Sequence, residues 1–157
     1  MTASQESRRF STGLIQERLT VAIPTATPQH MHHDVAHRWF SAKGKSAWAT
    51  CPITENGFIR IASHPSYPNS PGRASVAADL LREFCRRPGH HFWPDTVSLM
   101  DEALFRLAPV LSANQTTDVY ILGLAVKHGG KLATLDRSIP PSGVMHSEQS
   151  LEIITPE

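Results

Sequence analysis

Glu55, Asp118 and Asp136 are the side chains of this chain whose type and placement best suit catalytic chemistry. Carboxylates are hard oxygen donors, and Mg²⁺ takes one or two of them while waters and a substrate phosphate complete its shell. An ion held in this way can activate water and offset charge on a phosphate. Position matters as much as type. Asp136 directly follows an apolar run at 131–135, expected as a buried strand. Asp118 follows Thr117, expected to cap a helix over 118–128. Glu55 follows Thr54, expected to cap a helix over 55–62, just after a strand at 47–51. In open α/β sheets ligands bind outside the carboxyl ends of the strands, so three such acids can share one rim. Each acid also has an ordinary explanation. Helix dipoles favour acids in first turns, and aspartate is a common turn residue. Spacing alone therefore reaches an α/β domain with a candidate acidic site.

The elements that must position these acids are legible from period and punctuation. Val35, Ala36, Trp39 and Phe40 recur at helical spacing over 33–40, and Gly44 stops that helix. Phe58, Ile59 and Ala62 share one face of the helix at 55–62. Val76, Ala77, Leu80, Leu81 and Phe84 give a stripe over 75–86, which Pro88 and Gly89 end. A further helix is expected at 101–110, and Gly129-Gly130 closes the one at 118–128. The prolines at 64–73 mark a loop. Short strands are expected at 19–23, 47–51, 91–93, 131–135 and 150–155. Alternation of short strands with helices predicts an α/β/α sandwich around a short, mainly parallel sheet.

The 157 residues suit one compact domain, and 40% hydrophobic with 18% charged residues is a folded chain's balance. A net charge of +1 argues neither for nor against nucleic acid, but a grip by a basic stripe alone usually makes a more basic chain, so phosphate recognition has to be local. No apolar run approaches the ~20 residues that span a bilayer, and charges interrupt the N-terminal stretch, so a cytoplasmic, non-membrane protein is expected. Cys51 and Cys85 lack metal-type spacing and are read as free thiols. Nucleotide-binding glycine motifs are absent. His30, His32, His33 and His37 are dense but lack the spacing of a zinc site. Trp39, Phe40 and Trp48 are read as core, and Arg82, Arg86 and Arg87 as the solvated face of a helix.

Three segments resemble the PIN-domain family, and within it the VapC ribonuclease toxins. Trp48 to Arg60, reading WATCPITENGFIR, resembles the segment around the family's glutamate. Thr117 to Ala125, followed by His128-Gly129-Gly130, resembles the helix that carries a metal-binding aspartate. Leu132 to Arg137, reading LATLDR, resembles the strand and acidic turn that close the site. The resemblance implies a PIN-like fold, Mg²⁺ or Mn²⁺ dependence and endonucleolytic cleavage of RNA by an activated water. It also implies a cognate antitoxin and a homodimer. Carried over by residue, Asp118, Asp136 and Glu55 are the metal-binding and catalytic acids. Thr134 and Arg137 are the candidate substrate contacts.

The chain departs from the pattern at its start. The family's first strand ends in an aspartate ahead of a P-x-H stretch. Pro28-Gln29-His30 matches that stretch, but counting back places Arg18 where the aspartate belongs, with Glu17 beside it. Residues 1–27 are accordingly read as a divergent segment and 28–157 as the PIN-like domain. An altered reading frame or start is the expected origin of the divergence. Two functions follow from the resemblance: an active Mg²⁺-dependent endoribonuclease toxin, or a catalytically impaired PIN domain that binds antitoxin or RNA.

Overall fold

The computed structural model describes residues 19–21, 30–67 and 70–155, with side chains from Asp34 onward. Arg18 and Glu17 lie outside the described residues, as do the side chains of His30, His32 and His33. Five short strands form one sheet: β1 (Leu19–Val21), β2 (Trp48–Thr50), β3 (His90–Phe92), β4 (Lys131–Thr134) and β5 (Leu151–Ile153). Their order is β3-β2-β1-β4-β5, and every neighbouring pair is parallel. The chain steps outward from β1 to β2 and β3, then returns to the far side of β1 for β4 and β5. The carboxyl ends of β1 and β4 therefore flank a topological switch point, where such sheets open a crevice.

Four helices connect the strands: α1 (His30–Ala42), α2 (Pro52–Ala62), α3 (Ala74–Cys85) and α4 (Asn114–Lys127). Successive strand residues point to opposite faces, and this sorts the core into two halves. Leu132 and Ala49 pack with α4 through Val119, Leu122 and Ala125. Ala133, one position on from Leu132, packs instead with Val35 and Trp39 of α1 and with Ile154. Trp48, one position before Ala49, meets Phe40 of α1 at 5.5 Å and Phe84 of α3 at 4.7 Å between ring centroids. One face of the sheet is thus covered by α1 and α3, the other by α4. This is the three-layer PIN-like arrangement, with Trp39, Phe40 and Trp48 spent on packing as the sequence led us to expect.

α4 carries no polar stripe through its middle, because Val119 and Ile121 to Ala125 are all buried. A helix apolar all round has to lie inside the protein. Its outer side is covered by the segment between β3 and α4, where a Cβ built on Gly123 would fall 2.2 Å from Phe105 Cζ. Only glycine permits that approach.

The structure corrects several boundaries. Residues 101–110 are turns rather than a helix. Asp101 accepts the Ala103 N–H at 3.0 Å, and Phe105 bridges Val144 in antiparallel fashion. Backbone bonds from Arg106 to Gly143 and from Met145 to Leu104 replace helical ones. α2 begins at Pro52, since proline is pre-set for a first helical position. Thr54 is consequently not the cap but bonds back, accepting the Cys51 N–H at 2.9 Å. α4 begins at Asn114, so Thr117 and Asp118 sit inside it. On α3 only Ala77 and Leu81 of the expected stripe are buried, while Val76 and Leu80 are 41% and 54% exposed. Arg82 and Arg86 pair with Asp79 and Glu83 on the same helix, consistent with a solvated face. Both cysteines are free; Cys51 is buried and Cys85 half-buried.

Candidate active site

A cleft of about 780 Å³ opens between α2 and the start of α4, at the carboxyl end of β4. From α2 it takes Ile53, Asn56, Gly57, Arg60 and Ile61, positions that recur every three or four residues and so share one helix face. From α4 it takes Asn114, Gln115, Thr117 and Asp118, and from the turn after β4 it takes Asp136 and Ser138.

The turn after β4 is built by side chains. The Thr134 hydroxyl accepts the Asp136 N–H at 3.0 Å, and Asp136 Oδ1 accepts the Ser138 N–H at 2.7 Å. Gln115 ties the turn to α4 by donating to the Ser138 carbonyl at 2.8 Å. Its own carbonyl oxygen accepts the N–H groups of Leu111 and Ser112 at 3.0 and 3.2 Å. Asp136 is exposed but fixed, and Thr134 holds it there. Arg137 is exposed and does not line the cleft.

Asp118 stands in the second turn of α4, half-buried. Burial, and then the charge of nearby Asp136, push its carboxyl above the usual range. A merely dipole-stabilised acid would shift the other way. Two carboxylates that repel each other beside a polar cleft are a donor set suited to a hard divalent ion. The ordinary explanation of Asp118 as a first-turn acid thus loses its ground.

Glu55 is placed differently. It does not line the cleft, and its Oε1 accepts the Thr50 hydroxyl at 2.6 Å. Thr50 shares the face of β2 that carries Trp48, the one opposite α4. Since the Thr50 proton goes to Glu55, its oxygen accepts from His90 Nε2 at 2.9 Å, giving a chain His90–Thr50–Glu55. The structure therefore brings Asp118 and Asp136 together and anchors Glu55 beside Thr50. Among the described residues no three His, Cys, Asp or Glu side chains gather closely enough to hold a metal ion. Residues 22–29, next in sequence after β1 and outside the described residues, contain neither Asp nor Glu. Sequence reasoning missed Asn56, Gly57 and Arg60, whose spacing on α2 marks the cleft wall once the helix is placed.

A parallel α/β domain with paired acids in a cleft at its switch point is the class that fold and site define. Neither a protein-family profile nor a solved structure matches the chain. Curated relatives do. Ribonuclease VapC44 of Mycobacterium tuberculosis is 40% identical over 115 residues, which is 73% of this chain and 80% of the relative. Ribonuclease VapC39 of the same organism is 35% identical over 79% of this chain and 89% of its own length. Ribonuclease VapC29 is 32% identical over 92% of this chain and 97% of its own length, so that likeness extends ahead of Pro28. The chain belongs to the VapC ribonuclease family. No helix among the described residues is long and apolar enough to cross a membrane.

Proposed function

We propose that this protein is a Mg²⁺-dependent endoribonuclease, the toxin of a toxin–antitoxin pair, with the cleft between α2 and α4 as its RNA site. The observation that carries the reading is that Asp118 and Asp136 line one cleft, where burial and then the Asp136 charge raise the Asp118 carboxyl. These two side chains would hold the ion, with Mn²⁺ an adequate substitute. Bound there, Mg²⁺ supplies a water of lowered pKa and a counter-charge for the scissile phosphate. Asp136 is pre-oriented for that task by Thr134 and Ser138, and Asp118 by the rigid, fully packed α4. Glu55 contributes the third negative charge from its anchor on Thr50. A cognate antitoxin and a second copy of the chain are the expected protein partners.

A second reading has its own support. With Glu55 tied to Thr50, the described residues offer an ion two carboxylates where the family resemblance implies more. That deficit favours a PIN domain that binds RNA or antitoxin and cuts poorly. Incubating the purified protein with single-stranded RNA and Mg²⁺ separates the two. Cleavage that disappears in EDTA and in Asp118→Ala supports the nuclease. Intact RNA under the same conditions, with the protein folded, supports the impaired form.

A further inference from the structure

The cleft has a wall that the two carboxylates do not explain. Asn56, Gly57 and Arg60 line the cleft from α2, across from Asp118 and Asp136; Asn56 and Arg60 are exposed and Gly57 is half-buried. Arg60 is the one Lys or Arg among the residues lining the cleft, and it makes no ion pair with any described residue. On α3, by contrast, Arg82 and Arg86 are neutralised by their own helix, and Arg87 lies over the Phe84 ring at 4.7 Å.

Gly57 supplies an independent indication. A glycine inside a helix is unfavourable relative to alanine, so packing usually justifies it. Here packing does not, because a Cβ built on Gly57 meets nothing within 4 Å. Gly123 of α4 is the opposite case, with Phe105 pressed against it. The bare backbone at Gly57 faces the cleft, one turn before Arg60. Glycine at such a place lets a ligand's backbone come close to the helix.

We infer that Arg60 binds a phosphate of single-stranded RNA flanking the scissile bond, and that Gly57 leaves the room for the sugar-phosphate chain to lie against α2. This rests on the nuclease reading above and names the substrate contacts of the same cleft. It shifts the phosphate contact from Arg137, which does not line the cleft, to Arg60, which does. Asn56 and Asn114 add neutral hydrogen-bonding groups on either wall, suited to sugar or base edges.

The test measures anisotropy of a short fluorescein-labelled single-stranded RNA in EDTA, across a salt series, with the full chain. A phosphate contact contributes about 0.7 to the slope of log affinity against log salt for single strands. Arg60→Ala should lower the slope by about that amount and weaken binding roughly tenfold. Arg60→Lys should keep the slope, and Arg82→Ala, off the cleft and paired with Asp79, should leave both unchanged. Gly57→Ala should raise Tm by about 2–4 °C through helix propensity yet weaken RNA binding. That opposition of signs is not expected of a purely structural glycine. Equal slope and affinity in wild type and Arg60→Ala would overturn the inference. So would a wild type that cuts RNA in Mg²⁺ but shows no salt-dependent binding, while leaving the nuclease reading in place. A wild type that neither binds nor cuts RNA overturns both.

Discussion

At the scale of single residues, the site is a compromise between folding and function. Asp118 is half-buried and faces a like charge, so its carboxyl is raised above the ordinary carboxylate value. Between the unfolded and folded pKa values the folded chain binds more protons than the unfolded one, and stability falls as pH rises through that window. Above it the ionised Asp118 is a standing cost. Asp118→Asn removes the charge at nearly constant shape. In metal-free buffer the variant should have a higher Tm than wild type at neutral pH, with the difference shrinking as pH falls below the folded pKa. Thermal unfolding at several pH values checks this; a lower Tm for the variant at neutral pH would contradict the repulsion. Residue identity also decided how much of the site was legible. Asp136 could be placed from the sequence, because a strand that ends on LATLD puts its acid on the rim. The bond from Thr50 to Glu55 could not, since it depends on which face of β2 carries Thr50 and on where α2 starts.

At the scale of elements, helical period and its breakers located α1 to α4, with α3 right to a residue, whereas the first turns of α1, α2 and α4 escaped the sequence. α4 starts three residues ahead of the Thr117 expected to cap it, because Gln115 binds the preceding loop through Leu111 and Ser112. α2 starts ahead of Thr54 because Pro52 needs no N–H at a first position. The helix expected at 101–110 fails because Asp101 closes a turn on Ala103, and the backbone then pairs with 143–145. That strip is what holds Phe105 against Gly123, and the contact is a property of the α4 packing rather than of either residue alone. In Gly123→Ala the new methyl has to displace a buried aromatic ring. Overpacking of this kind costs about 1–3 kcal/mol, enough to outweigh alanine's gain of about 1 kcal/mol in helix propensity. Urea unfolding should show a lower midpoint for Gly123→Ala and a partial recovery when Phe105→Leu is added. A stabilised Gly123→Ala would mean that the segment before α4 is only loosely docked.

At the scale of the whole molecule, the proposed function makes metal and RNA, held by the paired acids and the α2 wall, parts of one binding event. On that proposal Asp118 and Asp136 alone would leave a Mg²⁺ shell mostly to water, and a phosphate positioned by Arg60 would be the group that completes it. Coupling of this kind is reciprocal: the factor by which RNA tightens Mg²⁺ equals the factor by which Mg²⁺ tightens RNA. A ligand that binds only the folded chain stabilises it by about 1.4 kcal/mol at ten times its dissociation constant. For a domain of this size that is about 3–6 °C in Tm. Mg²⁺ should therefore raise Tm in wild type but not in Asp118→Asn. The Mg²⁺ concentration giving half of the rise should fall when a non-cleavable single-stranded analogue is present, and should fall less in Arg60→Ala. A half-effect concentration unmoved by the analogue would separate metal from substrate and place the RNA away from the two aspartates. A Tm rise retained in Asp118→Asn would move the ion to other ligands altogether.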